Sequence, residues 1–274
     1  MRGVAHVAIT SNQKISAEAS YESWRYRDRI NKGKKNNANS YKSAPPRPVV
    51  TYKDSISFNN QNVLFFHRNR DTGTIFDATV TQQGLDSVRS KIHNPLYQLT
   101  FGGQLTGTNM IPAGTYVGTY ADTDFKGWKL KSKSAAVNHN ITVITHKEQA
   151  DKTSHWYTSL NNITRGISDE PDALHQTRNY WKQFWERSFI FIQPGKADTT
   201  SPEWQAGRNY QLFRYMLGCN PMPGNPTKFN GGLFTYDPRF SDTTIKGTPD
   251  HRNWGGGTHT AMNQRLVYWP MIKT

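Results

Sequence analysis

The residues with the clearest potential for chemistry lie in two glycine-rich loops near the C-terminus of the chain. One loop spans residues 225–237 and the other spans residues 250–263, and both combine amides, aromatic rings and glycines. Proteins bind sugars by stacking tryptophan or tyrosine on the apolar ring face while amides and guanidinium groups hydrogen-bond to the hydroxyls. The two loops supply this mixture, so they predict a site for a polar ligand.

The candidate binding residues also have ordinary structural explanations. They are Asn230, Tyr236, Arg252, Asn253, Trp254, His259 and Asn263. Asn230 precedes two glycines and can equally form a turn. Trp254 precedes three glycines and can equally fill the end of a helical core. The sequence leaves both interpretations open.

Cleavage of a glycosidic bond requires one carboxylic acid to protonate the leaving oxygen and one carboxylate to attack or to activate water. The carboxylates of the loop region are Asp237, Asp242 and Asp250. Asp237 and Asp250 adjoin prolines and are typical of turns. The sequence shows no acid and base pair, so we expect the 274-residue chain to be inactive as a hydrolase.

The sequence contains few signals for other kinds of catalytic or binding site. The histidines form no helical pair with carboxylate support, and the chain has no phosphate loop, no dinucleotide fingerprint and no nucleophile elbow. We therefore predict neither a metal nor a cofactor. Cys219 is the single cysteine, which excludes an internal disulfide and leaves the redox compartment open.

The positive charge of the chain suggests anionic partners, but the distribution of the basic residues does not support them. The net charge of +14 comes from 34 lysines and arginines against 20 acidic residues. The densest basic run, residues 25–35, lies among asparagine and glycine and is typical of a solvated loop. No nucleic-acid motif and no apolar stretch of membrane-spanning length is present, so we predict neither of these partners. An anionic-polymer binder stays open as the weakest alternative.

The hydrophobic pattern changes along the chain. Up to about residue 148 it has the period of strands, which predicts an antiparallel sandwich from seven segments: residues 4–9, 63–66, 74–80, 97–101, 115–120, 128–130 and 141–145. Gly102-Gly103, Lys126-Gly127 and Pro112-Ala113-Gly114 are read as turns between them.

After Asp169 the pattern has the period of helices. One helix follows Pro171 and places Leu174, Trp181, Phe184 and Trp185 on one side. A second begins with Ser201 as N-cap and Pro202 at its first position, and ends near Gly218. A third is expected from about Thr260. The two parts of the chain meet between residues 150 and 169.

Five segments of the chain resemble the bacterial DUF5703 glycoside hydrolase-like proteins. They are residues 63–70, 204–215, 228–232, 254–257 and 264–270, so that the resemblance covers nearly the whole chain. Through its C-terminal loops alone, the chain is also distantly similar to the inverting α-L-fucosidases of glycoside hydrolase family 95.

The resemblance implies a β + α protein in two parts. Residues 1–160 would be part of an antiparallel β-supersandwich that lacks its N-terminal strands, and residues 161–274 would contain the first helices of an (α/α)6 barrel. The sugar cleft would lie at the barrel mouth. The chain is thus expected to be a fragment of a longer bacterial protein, whose full-length form we expect in the periplasm or outside the cell. This chain has no signal-peptide pattern.

The family 95 enzymes carry a tryptophan, an Asn-x-Asn pair and a Tyr-Trp-Pro run, and their amides position the attacking water. Trp254, Asn263 and residues 268–270 match this pattern. Ala261 stands where those enzymes have the first asparagine, and Arg265 stands where they have glutamate. These departures put the fucosidase chemistry in question.

By this resemblance, Asn263 would position water or substrate, Trp254 would be a stacking platform and Asn230 would bind a hydroxyl. The acid and the base of family 95 would come from segments beyond Thr274. The expected function is therefore hydrolysis of O-glycosyl bonds in an oligo- or polysaccharide by the full-length parent. The alternative is a non-catalytic carbohydrate-binding or structural module. Oligomeric state is not indicated by the sequence.

Overall fold

A computed structural model describes residues 3–31, 49–120, 123–168, 173–193, 195 and 198–219. Ten strands and four α-helices lie in these ranges. The strands are β1 (Gly3–Ile15), β2 (Glu18–Ser23), β3 (Arg29–Asn31), β4 (Val49–Thr51), β5 (Ser55–Asn59), β6 (Asn62–Arg68), β7 (Leu99–Gly107), β8 (Met110–Tyr120), β9 (Thr123–Ser132) and β10 (Ala136–Gln149). The helices are α1 (Ile75–Gln82), α2 (Thr153–Ser168), α3 (Ala173–Arg187) and α4 (Pro202–Gly218), with a 3-10 helix at Asp86–Lys91.

The strands form two main antiparallel sheets. The large sheet has the order β1-β10-β7-β6-β5, and the small sheet has the order β2-β9-β8. A short ladder joins β3 to β4. Strands that follow each other along the chain often belong to different sheets: β1 leads into β2, β7 into β8, and β9 into β10. The chain therefore crosses between the sheets three times at these junctions, which holds the sheets together covalently.

One face of the large sheet packs against the small sheet. The alternation of β6 buries Val63, Phe65 and His67 on this face. A shared core joins Val63, Leu105 and Ile141 of the large sheet to Met110, Trp128 and Leu130 of the small one. Tyr21 of β2 adds a ring that stacks on Phe65 with 3.9 Å between ring centroids. This packing makes the two sheets a sandwich.

The opposite face of the large sheet packs against α2. Ile144 of β10 forms a second core with Trp156 and Leu160 of the helix, and both of these helix residues are fully buried. The indole Nε1–H of Trp156 donates to the carbonyl of His146, 3.3 Å away. Gln104 of β7 also donates to Thr164 of α2 at 2.8 Å. The large sheet is therefore the middle layer of three.

Helices α3 and α4 pack through aromatic rings. The ring of Trp181 lies 4.9 Å from that of Tyr215, measured between centroids. Gly218 of α4 lies against Phe184 and Trp181, where an added Cβ would come within 2.8 Å of the phenyl ring of Phe184. The small residue permits the close approach. Within the described part of the chain, no helix is long and apolar enough to cross a membrane.

Most of the predicted strands are confirmed, and one is wrong. Residues 74–80 belong to helix α1 because local capping overrides the β-branched composition of the segment. Thr74 is the N-cap, and its backbone N–H donates to the Asp77 carboxylate at 2.8 Å. The helix α2 was not predicted, although Trp156, Leu160, Ile163 and Ile167 recur at helical spacing.

The residues expected to form turns at three places lie instead inside strands. Gly102 and Gly103 are in the middle of β7, where an added Cβ would lie 2.1 Å from the carbonyl oxygen of Phe65 and 1.8 Å from that of Ile144. Gly127 lies in β9 beneath the ring of Tyr116. Residues 112–114 lie in β8, where the register shifts between Pro112 and Thr115.

Both predicted helices in the described range are confirmed. In α4, Ser201 is the N-cap, its side chain accepts from the Trp204 N–H, and the helix ends at Gly218. In α3, Phe184 is buried, but Leu174 is 62% exposed and does not share a buried side with it. The helix expected from Thr260 lies outside the described residues.

We predict that Trp156→Ala lowers the free energy of unfolding by about 3–5 kcal/mol, because it empties the centre of the core between α2 and the large sheet. Urea unfolding followed by circular dichroism measures this loss. Leu174→Ala, at the exposed position of α3, is the matched control and should change stability by less than about 0.5 kcal/mol. Equal losses in the two variants would contradict the packing of α2 on the sheet.

Candidate functional site

The residues predicted from sequence to bind a ligand all lie outside the described residues. This applies to Asn230, Tyr236, Arg252, Asn253, Trp254, His259 and Asn263. Their proposed roles stay predictions. The described part of the chain contains a different polar cluster, which sequence reasoning missed. We call it the Asp54 cluster and define it as Arg25, Asp54 and His67.

The three side chains of the Asp54 cluster meet at short distances in a mostly buried setting. Arg25 Nε lies 3.0 Å from Asp54 Oδ1, an ion pair in which the N–H is not aimed as a hydrogen bond. His67 Nδ1 lies 3.0 Å from the same oxygen. The side chains of Asp54 and His67 are only 11% and 10% exposed. The carboxylate therefore has little access to water and depends on its two neighbours.

Three separate segments position the cluster. His67 points into the sandwich because it continues the buried alternation of β6 after Val63 and Phe65. Asp54 directly precedes β5, and its backbone N–H donates to the carbonyl of Arg25 at 2.7 Å. Arg25 follows β2, where its own N–H donates to the hydroxyl of Ser23 at 3.0 Å. The end of β2 is thereby fastened to the start of β5.

The ring nitrogen of His67 has two competing partners. Its Nδ1 lies 2.7 Å from Arg25 Nη2, which can only donate, and 3.0 Å from Asp54 Oδ1, which accepts when ionised. Nδ1 accepts from Arg25 when it carries a lone pair and donates to Asp54 when it carries a proton. A single nitrogen cannot do both at once, so the tautomer and charge of His67 decide which contact is a hydrogen bond.

The phenol of Tyr21 interacts electrostatically with Asp54 and Arg25 of the cluster. The pKa of Tyr21 is raised well above its usual value by burial and, to a smaller extent, by the nearby negative charge of Asp54. The hydroxyl of Tyr21 is therefore neutral at all physiological pH values. It cannot supply a second negative charge to the site.

The outer rim of the cluster is partly exposed and aromatic. Arg70 Nη1 donates to the hydroxyl of Tyr52 at 2.5 Å, and its guanidinium carbon lies 4.9 Å from the ring centroid. The ring of Phe101 lies 5.4 Å from the imidazole of His67. Tyr52 and Phe101 are each 36% exposed. Rings and guanidinium groups can contact a polar ligand here, but cleavage of a glycosidic bond uses two carboxyl groups and the Asp54 cluster has one.

Arg68, at the end of β6, and Asn69, which follows it, connect separate segments of the chain. Arg68 Nη1 donates to the carbonyl of Ala150 at 2.6 Å and to the hydroxyl of Thr100 at 3.0 Å, while Nη2 donates to the carbonyl of Asp151 at 3.0 Å. Asn69 donates to the carbonyl of Leu96 at 3.2 Å. These bonds connect the end of β6 to the start of β7 and to the chain just before α2.

A second polar centre lies at the start of β9. The carboxylate of Asp124 accepts from the hydroxyl of Tyr26, from Arg29 Nη2 at 2.6 Å and from Arg27 Nη2 at 2.7 Å. The Tyr26 hydroxyl and the two guanidinium groups lower the pKa of Asp124 far below its usual value. Asp124 is therefore ionised and serves as an anchor for the chain that enters β3.

The interface between α3 and α4 contains a buried guanidinium. Arg214 is 2% exposed, and its Nη2 donates to the carbonyl of Phe184 at 2.8 Å. The guanidinium carbon lies 4.5 Å from the ring centroid of Phe184 and 5.2 Å from that of Trp185. Phe184 lies in the last turn of α3, where a positive charge is favourable. Arg214 therefore stabilises the end of this helix.

No group of three or more histidine, cysteine, aspartate or glutamate side chains that could hold a metal occurs among the described residues. The contacts of the Asp54 cluster support a structural role.

A comparison with known protein families gives a match over the first part of the chain. Residues 1–190 match the family described as a domain of unknown function, DUF5703. No curated protein matches the chain.

We predict that Asp54→Asn lowers the free energy of unfolding by about 3 kcal/mol, because it leaves the Arg25 guanidinium without its carboxylate in a mostly buried place. Chemical denaturation gives this value. Glu186→Gln, which removes an exposed partner of Lys182 on α3, is the control and should have little effect. If both variants lose the same small amount, the Asp54 cluster does not fasten β2 to β5.

We also predict that the contribution of Asp124 to stability disappears in acid. Its pKa in the folded chain is below the unfolded value, so the contribution is present above about pH 4 and is lost as the pH falls below that value. The stability difference between the wild type and Asp124→Asn should therefore shrink from pH 6 towards acid pH in urea titrations. Asp71→Asn, at an exposed position, is the control. A difference that is the same at every pH would refute this assignment.

Proposed function

The chain belongs to the DUF5703 family. From the residues of its C-terminal loops, we propose that it is a glycoside hydrolase-like protein that acts on oligo- or polysaccharides. Hydrolysis of O-glycosyl bonds would be the activity of a full-length parent. We propose that the 274-residue chain binds a glycan but does not cleave it, because its loops offer no acid and base pair.

The order of the elements supports this proposal. A sandwich of two antiparallel sheets comes first, and the aromatic helices α3 and α4 follow it. We propose that the sandwich is part of a β-supersandwich and that the two helices are the first of an (α/α)6 barrel. This is the architecture expected from the resemblance to glycoside hydrolase family 95, in which the sugar cleft lies at the barrel mouth.

The observation that carries the proposal is the composition of the second C-terminal loop. Trp254, Asn263 and residues 268–270 match the tryptophan, the amide and the Tyr-Trp-Pro run of the family 95 enzymes. In this proposal Trp254 stacks on a sugar ring, Asn263 positions water or substrate, and Asn230 binds a hydroxyl. Tyr236, Arg252 and His259 would complete the binding surface.

The alternative is a non-catalytic carbohydrate-binding or structural module. Two substitutions in the second loop favour it, because Ala261 cannot supply an amide and Arg265 cannot act as an acid or a base. The Asp54 cluster adds no catalytic pair, since its one carboxylate is already shared between Arg25 and His67. The two proposals differ in what they expect of the full-length protein: the first expects it to hydrolyse glycans, and the alternative expects no hydrolysis.

We predict that Trp254→Ala weakens binding of an oligosaccharide by about tenfold or more, which corresponds to about 1.4 kcal/mol of lost stacking. Isothermal titration with a panel of neutral oligosaccharides, fucosylated ones included, measures the change. Tyr97→Ala replaces an aromatic ring that is 45% exposed in the sandwich part and is the control. Unchanged binding in Trp254→Ala would remove this residue from the site.

The same protein can be tested for activity. We expect no release of the aryl group from aryl-glycosides, and turnover by the 274-residue chain would contradict the proposal. Retention on heparin that falls steeply with salt, without any oligosaccharide binding, would instead support the anionic-polymer alternative.

A further inference from the structure

We propose that the rim of the Asp54 cluster is a second saccharide-binding site, which takes an acidic sugar such as a uronic acid unit of an oligosaccharide. We define the rim surface by four exposed side chains: Tyr52, Arg70, Phe101 and Lys147. All four belong to the sandwich, and none comes from the C-terminal loops. This inference goes beyond the proposed function, because it adds a site and states the charge of its ligand.

The first observation is a row of side chains across one face of the large sheet. His67 of β6 lies opposite Phe101 of β7, and Phe101 lies opposite Lys147 of β10. Directly opposed residues of antiparallel strands are on the same face of the sheet. His67 is buried, whereas Phe101 and Lys147 are exposed. Burial therefore decreases along the row, and the ring of Phe101 is accessible beside a lysine.

The second observation is that the positive charges of the rim surface are not neutralised. Within the described ranges, neither Arg70 nor Lys147 forms an ion pair. Arg70 instead contacts the hydroxyl and the ring of Tyr52, which carry no charge. The remaining donors of its guanidinium can bind a carboxylate.

The Asp54 cluster connects the two sides of the rim surface. Arg25 Nη2 lies 2.7 Å from Nδ1 of His67 and donates to the carbonyl of Tyr52 at 3.5 Å. The imidazole of His67 in turn lies 5.4 Å from the ring of Phe101, measured between centroids. The rings of Tyr52 and Phe101 are thereby held by one set of contacts. A surface that is fixed before binding loses less conformational freedom when the ligand arrives.

The chemistry of the rim surface indicates the class of ligand. Exposed aromatic rings stack on the apolar face of a sugar, and a guanidinium binds a carboxylate through charge-assisted hydrogen bonds. The rim surface places two rings beside two cations, and the carboxylate of Asp54 is already paired with Arg25. An acidic saccharide supplies both the ring face and the negative charge that such a surface binds.

A single strand of nucleic acid also combines rings with negative charges, and proteins bind it by stacking its bases on aromatic side chains. Such binding uses a positively charged groove that follows the phosphate backbone. The rim surface has only two cations, and the acidic Asp71 directly follows Arg70. It therefore suits one or two charged sugar units better than a polymer of phosphates.

The test uses trigalacturonic acid and its methyl ester, which has the same sugar rings without the negative charges. In isothermal titration, the wild-type chain should bind the acid at least about tenfold more tightly than the ester. Arg70→Gln and Lys147→Gln should each weaken binding of the acid and reduce this preference, because each removes a positive charge from the rim surface. Phe101→Ala should weaken binding of both compounds by about fivefold, because the ring stacks on either one.

Lys133→Gln and Tyr120→Ala are the matched controls, since they remove an exposed cation and an exposed ring from other parts of the sandwich. Both should bind the acid as the wild type does. The substituted side chains are all exposed, so circular dichroism should show that every variant is folded.

Trp254→Ala separates this inference from the proposed function. The acid should still bind to Trp254→Ala, with the same losses when Arg70→Gln or Phe101→Ala is added. If Trp254→Ala abolishes binding while Arg70→Gln and Phe101→Ala leave it unchanged, the inference is overturned and the proposed C-terminal site stands. Equal affinity for the acid and the ester, or no binding of either, also overturns it. So does tighter binding of a thymidine oligonucleotide than of the acid, since nucleic acid would then be the better ligand.

Discussion

Burial of both faces of the large sheet is the constraint on which the described structure depends. An antiparallel sheet often leaves one face to water, but here the small sheet covers one face and α2 covers the other. β6 shows the consequence directly, since Val63 and Phe65 enter one core while Leu64 and Phe66 contact the other. The glycines of β7 have a different cause, because the backbone of the adjacent strands β6 and β10 leaves no room for a side chain at Gly102 or Gly103.

Several arginines of this basic chain have structural roles. Arg25 pairs with a buried carboxylate, Arg68 fastens β6 to the chain before α2, and Arg214 stabilises the end of α3. A guanidinium has five donors in a fixed plane, so one side chain can bind several carbonyls or carboxylates from distant segments. These arginines act inside the fold and are not exposed as a basic surface for nucleic acid.

The proposed function therefore separates the chain into a scaffold and a binding region. The polar clusters of the sandwich are occupied with one another: Asp54 with Arg25 and His67, and Asp124 with Tyr26 and its arginines. These ion pairs and hydrogen bonds fix strand ends in place. We propose that the amide and indole side chains of the C-terminal loops bind the sugar. These loops follow the sandwich in the sequence, and the large sheet of the sandwich is covered on both faces.

Local patterns in the sequence were sufficient for several elements. The β-branched and aromatic composition of residues 63–66 predicted a strand, and Ser201-Pro202 predicted the start of α4, because strand propensity and helix caps depend on adjacent residues. Thr74 and Asp77 carry a local signal for the start of α1, although the β-branched composition of the segment favours a strand. The apolar residues of α2 likewise recur at helical spacing.

Other features depend on residues that are distant in sequence, so only the tertiary structure could decide them. Arg25, Asp54 and His67 come from three segments, and no spacing in the sequence indicates that they meet. Gly102 and Gly103 have the composition of a turn. Glycine is needed at both positions because the backbone of Phe65 and Ile144, on the adjacent strands, leaves no room for a side chain. The chain by itself determined its strands, its caps and its family resemblance. The partners across each sheet decided which residues are buried, paired or left at an open edge, because long-range packing sets the surroundings of each side chain.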